Sequence, residues 1–443
     1  MSELLSADSL VSVFQQCRQA ARIIIGYSGG VDSHVLLHVC AAMPEFKDKI
    51  CAVYVHHGLQ AEADLWAVHC EKIVAELQVG FKVLRVNASP ESGESPEEAA
   101  RNARYAALKT LIEENDVLLV AQHREDQLET VLLQLFRGGG LKGLSGMPEA
   151  MAFGKGQLLR PFLNVSKRAI DDYALENGLT WITDPSNFSN DYDRNFLRND
   201  VLPLLKDRWP ACDKTVSRSA KHCAHAQELL SEQAHEFFKT VFNIGDNTLL
   251  INQLEVLDVS KQALVIREWF EFLGYKMPSE AFVKRLRTEV MMARQDSDPI
   301  LSGQGYVVRR YRDKLYCLED KREEGVVETT WKSDEYSVKV SKYKALKVIQ
   351  AESGIVLEQW QKSIVTVRAR KGGEKLRLPS REGHHALKDL FQEAGIPPWE
   401  RQSIPLVYLN DELAVVGDLW ISADFYQANT GGICVCLQLI SYL

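Results

Sequence analysis

Residues 22–43 read RIIIGYSGGVDSHVLLHVCAAM, and the way this stretch divides decides the fold. Positions 22–27 are a short β-rich apolar run, the pattern of a buried strand. From 31 to 43 the apolar residues Val31, Val35, Leu36 and Val39 recur at helical spacing. Between them stands Ser28-Gly29-Gly30-Val31-Asp32-Ser33. A strand therefore runs into a glycine turn, and the turn opens a helix. The first N–H groups of that helix have no partner within it and lie at the positive end of its dipole. Two glycines let the backbone approach a ligand with no Cβ in between, and the hydroxyls of Ser28 and Ser33 add donors. The stretch reads as an anion site, with phosphate the usual anion.

No GxxxxGK[ST] occurs and no lysine follows the glycines, so this is not a Walker loop. Asp32 lies inside the loop instead. A carboxylate beside phosphates is repelled unless a cation bridges them, which makes Asp32 the expected metal ligand and magnesium the expected metal. The pattern SGGxDS resembles the PP-loop of the ATP pyrophosphatase family, whose members split ATP between the α and β phosphates and make adenylated intermediates. The resemblance implies that Ser28, Gly29, Gly30, Val31, Asp32 and Ser33 hold ATP; an ordinary β–α turn with a serine cap is the alternative.

Working outward, 443 residues allow about two to four domains. No apolar run reaches the length of a membrane span, and MSELLSADSL lacks the basic n-region of a secretory signal. Nine cysteines without a Cys-x-x-Cys read as reduced thiols in the cytoplasm, with no disulfide framework, zinc or iron–sulfur site. A net charge of −8 argues against a chain coated in nucleic acid while leaving room for a local basic patch.

Strand patterns at 50–55, 81–86 and 117–122 alternate with helical patterns at 63–77, 96–105 and from 124 onward, which predicts an α/β, doubly wound parallel sheet. Ligands in such sheets sit at the carboxyl ends of strands. The second strand ends in VHHGL, so His56 and His57 are placed to line the nucleotide cleft, with capping of the strand end as the alternative for each. Ser95-Pro96-Glu97-Glu98 is a capping-box signal, and the helix it opens carries Arg101, Arg104 and Tyr105 on one face. The fourth strand ends in HREDQLET, whose Asp126 and Glu129 share a helical face on the same sheet edge as the glycine loop. That convergence points to a catalytic cleft. A short strand at 158–162 is expected only at an edge, because of Pro161, and Ser166 reads as the cap of a helix to 177. Arg194 and Arg198, one helical turn apart, either clamp a phosphate or lie on a solvated face.

The motifs SGGVDS, VHHGL, EAARNARY, HREDQLET, DPSN and DRNFLR, in this order over roughly the first 200 residues, resemble those of bacterial tRNA(Ile)-lysidine synthetases. One departure is visible: the family's HxxDDQxET usually has two adjacent aspartates, and here the first is Glu125, with the charge kept. The resemblance implies adenylation of the wobble cytidine of tRNA(Ile) with a CAU anticodon, then attack by the side-chain amine of free L-lysine. It implies ATP and magnesium, a cytoplasmic location and no membrane; monomer and homodimer both stay open. Asp32, Asp126, Glu129, Arg101, Arg104 and Arg198 are then the expected catalytic residues. The carboxylates at 126 and 129 are there to take the amine's proton, and the arginines to balance phosphate charge. Which carboxylate is the base is left open by spacing. The expected division is a catalytic domain over 1–212, a mainly helical tRNA-binding domain over 213–320, a linker at 321–335 and a small α+β domain over 336–443. A 2-thiocytidine-type tRNA thiolase would carry paired Cys-x-x-Cys motifs, which are absent. An RNA-binding module with a regulatory nucleotide site would have no use for Asp32, Asp126 and Glu129.

Overall fold

The computed structural model describes all residues except 1–4, 6–9, 59–62, 91–95, 295–296, 321–324, 333, 429–432 and 443. Leu59 of VHHGL, Ser95 of the expected capping box and part of the expected linker lie outside the described residues. The chain falls into two compact units, Met1–Gln233 and Ala234–Leu443.

The first unit runs α1 (Val11–Cys17), β1 (Ile23–Gly26), α2 (Val31–Ala41), β2 (Ile50–His56), α3 (Ala63–Leu77), β3 (Gly80–Arg85), α4 (Pro96–Leu111), β4 (Val117–Leu119), α5 (Arg124–Phe136), α6 (Leu141–Leu144), β5 (Ala150–Phe153), β6 (Gly156–Leu159), α7 (Lys167–Glu176) and α8 (Asp193–Phe196). A π-helical turn, Leu197–Val201, then joins α8 to α9 (Leu202–Arg208), and α10 (Cys212–Val241) comes after it. The sheet order is β3-β2-β1-β4-β6-β5. β1 is central and parallel to both neighbours, with Ile23 opposite Ile50 on one side and Val117 on the other. Its three isoleucines are all buried, as expected of a strand covered on both faces. Ile25 packs with Val35, Leu36 and Ile170 on one face, and Ile24 with Leu108, Ile112 and Leu158 on the other. The carboxyl ends of β1, β2, β4 and β6 thus open on one edge.

One expectation needs correcting. The strand anticipated at 158–162 is β6, and it is interior, paired parallel to β4 and antiparallel to β5. Pro161 falls beyond its last residue, so no ladder hydrogen bond is lost and nothing confines it to an edge.

In the second unit, helices Val259–Phe272 and Glu280–Arg285 cover an antiparallel five-stranded sheet around Trp269, Phe270, Leu286, Val308 and Leu315. The expected hairpin is its centre, Tyr306–Tyr311 paired with Lys314–Glu319. Two further five-stranded antiparallel sheets share a core in which the buried Trp331 and Trp360 rings meet edge-on at 5.2 Å. Asn410 and Asp411, at φ +51° and +69°, make the two-residue turn between Leu406–Leu409 and Glu412–Val416. Among the described residues no helix is long and apolar enough to cross a membrane.

Candidate active site

The loop after β1 is held by its own serines. Ser28 N donates to Ser33 Oγ at 3.2 Å, the two hydroxyls are 3.1 Å apart, and Ser33 Oγ donates to Gly30 O at 3.0 Å. Gly30 is the N-cap of α2, and no side chain caps the helix; its first intrahelical bond is His34 N to Gly30 O. The amides of residues 31–33 therefore face the space a phosphate would fill. Gly29 sits at φ +81°, and a Cβ there would lie 2.6 Å from Ile182 Cδ1 and 3.0 Å from Cys70 Sγ. Its carbonyl accepts from Ile182 N at 2.9 Å, so the segment after α7 presses on the loop from outside.

Asp32, in the first turn of α2, carries a partner that the sequence did not reveal. Lys167, the first residue of α7, places Nζ 2.6 Å from Asp32 Oδ1 and 3.0 Å from Asp171. Burial works against the ammonium, but the two aspartates outweigh it and raise its pKa.

His123, ending the segment after β4, is 4% exposed and lies among three carboxylates. Its Nε2 is 3.9 Å from Asp32 and 3.5 Å from Asp126, and its Nδ1 is 3.4 Å from Glu125. Burial alone would favour the neutral ring; the surrounding carboxylates, Asp126 foremost, raise its pKa instead. Glu125 also accepts from Lys206 Nζ and from Lys167 N, both at 2.8 Å. Burial opposes its charge, yet His123, Lys206 and the amide hold its pKa well below the carboxylate range.

Asp126 and Glu129 do share a face, and two guanidiniums cover it. Arg194 Nε donates to Glu129 Oε2 at 2.7 Å and its Nη2 to Asp126 Oδ1 at 3.2 Å. Arg198 Nε donates to Glu129 Oε1 at 2.7 Å, while its Nη2 reaches Asp126 Oδ1 and Glu129 Oε2, both at 2.9 Å. The remaining oxygen of Asp126 accepts from His123 N at 3.0 Å. Burial resists ionisation of Asp126, but His123, Arg194 and Arg198 lower its pKa nonetheless.

At the end of β2 the two histidines separate. His56 Nδ1 accepts from Gly58 N at 3.2 Å, and its Nε2 lies 3.3 Å from Asp64. The half-buried His57 has Nδ1 without a partner among the described residues, and burial, then Arg104 and His56, push its pKa down to about 4. Arg101 and Arg104 lie over the Tyr105 ring, at 5.0 and 6.0 Å from its centroid.

Residues 4–205 match the PP-loop domain family, 249–316 the TilS substrate binding domain and 365–436 the TilS substrate C-terminal domain. A tRNA(Ile)-lysidine synthase of Methylococcus capsulatus is 39% identical over 408 residues, covering 91% of this chain and 93% of that one. One of Proteus mirabilis is 37% identical, over 95% and 96% of the two chains. The chain belongs to the tRNA(Ile)-lysidine synthase family. It is accordingly a ligase-type enzyme built on an ATP-using PP-loop domain. Among solved structures, the U34-tRNA thiolase NcsA from Methanococcus maripaludis overlaps 48% of this chain and 77% of its own, at 16% identity and a TM-score of 0.42. A TILS C-terminal domain overlaps 22% of this chain and 84% of its own, at 27% identity and a TM-score of 0.20.

The site suits the metal that the family's PP-loop implies. Among the described residues no cluster of three His, Cys, Asp or Glu side chains forms a ready cage. Magnesium does not need one, because it takes one or two carboxylates together with substrate phosphates and water. Asp32 and Asp126 flank one His123 nitrogen, which supplies such a pair beside the phosphate loop.

Proposed function

We propose that this chain modifies the wobble cytidine of an isoleucine tRNA with anticodon CAU, in two steps at one site. In the first, the cytidine 2-keto oxygen attacks the α-phosphorus of ATP, the bond to pyrophosphate breaks, and the base is left adenylated. In the second, the side-chain nitrogen of free L-lysine bonds to the activated ring carbon. The C–O bond to AMP breaks, and the amine proton passes to the Asp126–Glu129 pair. A keto oxygen is a poor leaving group, which adenylation remedies. The lysine ammonium has a solution pKa of about 10.4, so a buried carboxylate must relieve it of a proton before attack.

The residues of the loop, 28–33, hold the ATP phosphates, and His57 with Arg104 flanks them. Asp32, with Asp126 beside it, would hold magnesium, which when bound neutralises charge between phosphates and carboxylates. Arg198 and Arg104 balance the phosphate charge as it develops. Arg101 also belongs to this edge. The described ion pairs give Lys167 and Glu125 supporting parts, one steadying Asp32 and the other His123. Lysine approaches a carboxylate pair already covered by Arg194 and Arg198, so those guanidiniums must yield to its ammonium. Two further domains, 213–320 and 336–443, joined by a linker at 321–335, hold the body of the tRNA through phosphate contacts. The reaction belongs in the cytoplasm, where its tRNA is.

One observation carries this reading. Asp32 of the phosphate loop and Asp126 of the carboxylate pair reach the same His123 nitrogen, so nucleotide activation and amine attack share a space. With ATP and tRNA but no lysine, the expected products are pyrophosphate and an AMP-modified tRNA. Pyrophosphate exchange that required lysine and ran without tRNA would overturn the order of steps.

A further inference from the structure

The same sheet edge holds a second set of arginines in different surroundings. Arg160 comes directly after β6, Gln122 lies just beyond β4, and Arg101 and Tyr105 stand on α4. Arg160 is only 5% exposed. Its Nε donates to Gln122 Oε1 at 2.5 Å, its Nη1 to Pro148 O at 2.7 Å, and its Nη2 lies 3.8 Å from Met151 Sδ. Gln122 Nε2 reaches the Tyr105 hydroxyl at 3.5 Å, and Arg101 lies over that same ring. These acceptors are neutral: they satisfy N–H groups and leave the charge uncompensated. Glu149, whose backbone carbonyl accepts from Arg160 N at 2.8 Å, turns its carboxylate to Asn164 at 2.7 Å and Lys221 at 3.1 Å. Among the described residues neither Arg101 nor Arg160 forms an ion pair. Burial, then the charge of Arg101, weakens the hold of Arg160 on its proton. Arg160 is thus held against its own desolvation and the charge of Arg101 until an anion joins them.

We propose that Arg160 and Arg101 form an oxyanion subsite, separate from the phosphate loop, that takes the anionic group of a substrate other than ATP: the α-carboxylate of free lysine or a phosphodiester of the tRNA. The subsite deepens the lysidine-forming reading and rests on it. A guanidinium fork matches the planar or tetrahedral oxygens of either group. Gln122, which anchors Arg160, is the residue before His123, so the subsite and the carboxylate cluster are fixed to adjacent backbone at the end of β4. Free lysine is a zwitterion, and an acidic patch for its ammonium beside a basic one for its carboxylate suits it. A phosphodiester next to the wobble nucleotide has the same need for a cation.

The test uses the full chain with Arg101→Gln and Arg160→Gln, and with Arg160→Lys in case loss of the buried charge unfolds the protein. Calorimetry compares L-lysine with L-lysinamide, which lacks the carboxylate; filter binding gives the salt dependence of tRNA affinity. If the occupant is the carboxylate, the unaltered chain binds lysine at least about ten-fold tighter than lysinamide, and Arg101→Gln brings that ratio close to one. If it is a phosphodiester, the ratio does not move and Arg101→Gln reduces the salt slope by about 0.7–0.9. In both cases a folded Arg160 variant keeps the KM for ATP within about two-fold. An unchanged ratio together with an unchanged slope, in Arg101→Gln and in a folded Arg160 variant, overturns the subsite. Because both readouts are equilibrium binding, a chain that discriminates lysine from lysinamide but never attaches lysine to tRNA would sink the proposed reaction and leave the subsite standing.

Discussion

Arg194 and Arg198 meet every demand of their charge inside the protein: Asp126 and Glu129 give them five hydrogen bonds of 2.7–3.2 Å. Arg101 and Arg160, on the same sheet edge, have a tyrosine ring, an amide and a carbonyl and, among the described residues, no carboxylate. The residue type is the same, and the difference lies in the company. A guanidinium already paired can serve chemistry only by letting go, whereas one held by neutral groups is ready to receive. The first arrangement fits a site whose cationic substrate must displace a placeholder, and the second fits a site that waits for an anion.

The largest effect expected from breaking this contrast is at Glu129. Glu129→Gln keeps the shape and removes the charge beneath both clamped arginines. Lysine transfer should fall about 10²–10⁴-fold, while adenylated tRNA accumulates in a quench assay with radiolabelled ATP. Transfer at the normal rate would mean the clamped pair is not where the amine loses its proton.

Next comes a third kind of arginine, paired and fully enclosed. Arg124 meets Asp213 at 3.3 Å, with side chains 6% and 8% exposed. Arg124→Met leaves Asp213 buried alone and should cost about 3–5 kcal/mol, read by denaturant unfolding of the first unit. A loss below about 1 kcal/mol would show that pairing is not what holds such a charge here.

Arg-to-Lys exchange sharpens the contrast further. Lysine cannot copy a fork that spans two carboxylates. Arg198→Lys should lower kcat about 10²-fold, whereas Arg101→Lys, which keeps a point charge in an unpaired setting, should stay within about five-fold. Equal losses would erase the distinction between the two pairs.

The smallest effect concerns Arg22 and the buried Asp116, bonded to each other and to Glu113 N at 2.8 Å. Burial opposes the Asp116 charge, but Arg22 and that amide lower its pKa overall. Its contribution is therefore present above the unfolded value of about 3.9 and is lost as pH falls through the lower folded value. Asp116→Asn should cost about 1 kcal/mol at neutral pH and flatten the acid limb of a stability profile below about pH 4. An unaltered limb would exclude Asp116 as a source of acid sensitivity.

What could be read in advance was local. The β1–loop–α2 unit spans about twenty residues of sequence with its own pattern, and Asp126 and Glu129 share a face because they are three apart on a helix. The partners of those residues were hidden for the opposite reason. Lys167 is 135 positions from Asp32, Lys206 is 81 from Glu125, and Asp213 is 89 from Arg124. No periodicity links such pairs; the sheet does. Arg160 escaped notice because Pro161 drew the reading of its strand toward an edge. Thr248–Leu250 and Phe242–Asn243 are too short to show alternation, so the sheet of the middle segment came into view only through its hairpin.

The π-helical turn at Leu197–Val201 gives this segment a fixed length. Such a turn accommodates one residue more than an α-helical turn. Deleting a residue there would restore ordinary helix and rotate α9 by about 100°, carrying Lys206 away from Glu125. Arg194, upstream, would keep its place. Among relatives drifting apart, residues 197–201 should therefore keep their number even where those other than Arg198 change identity, and a gap in this stretch would mark a chain whose α9 no longer serves the cluster at His123.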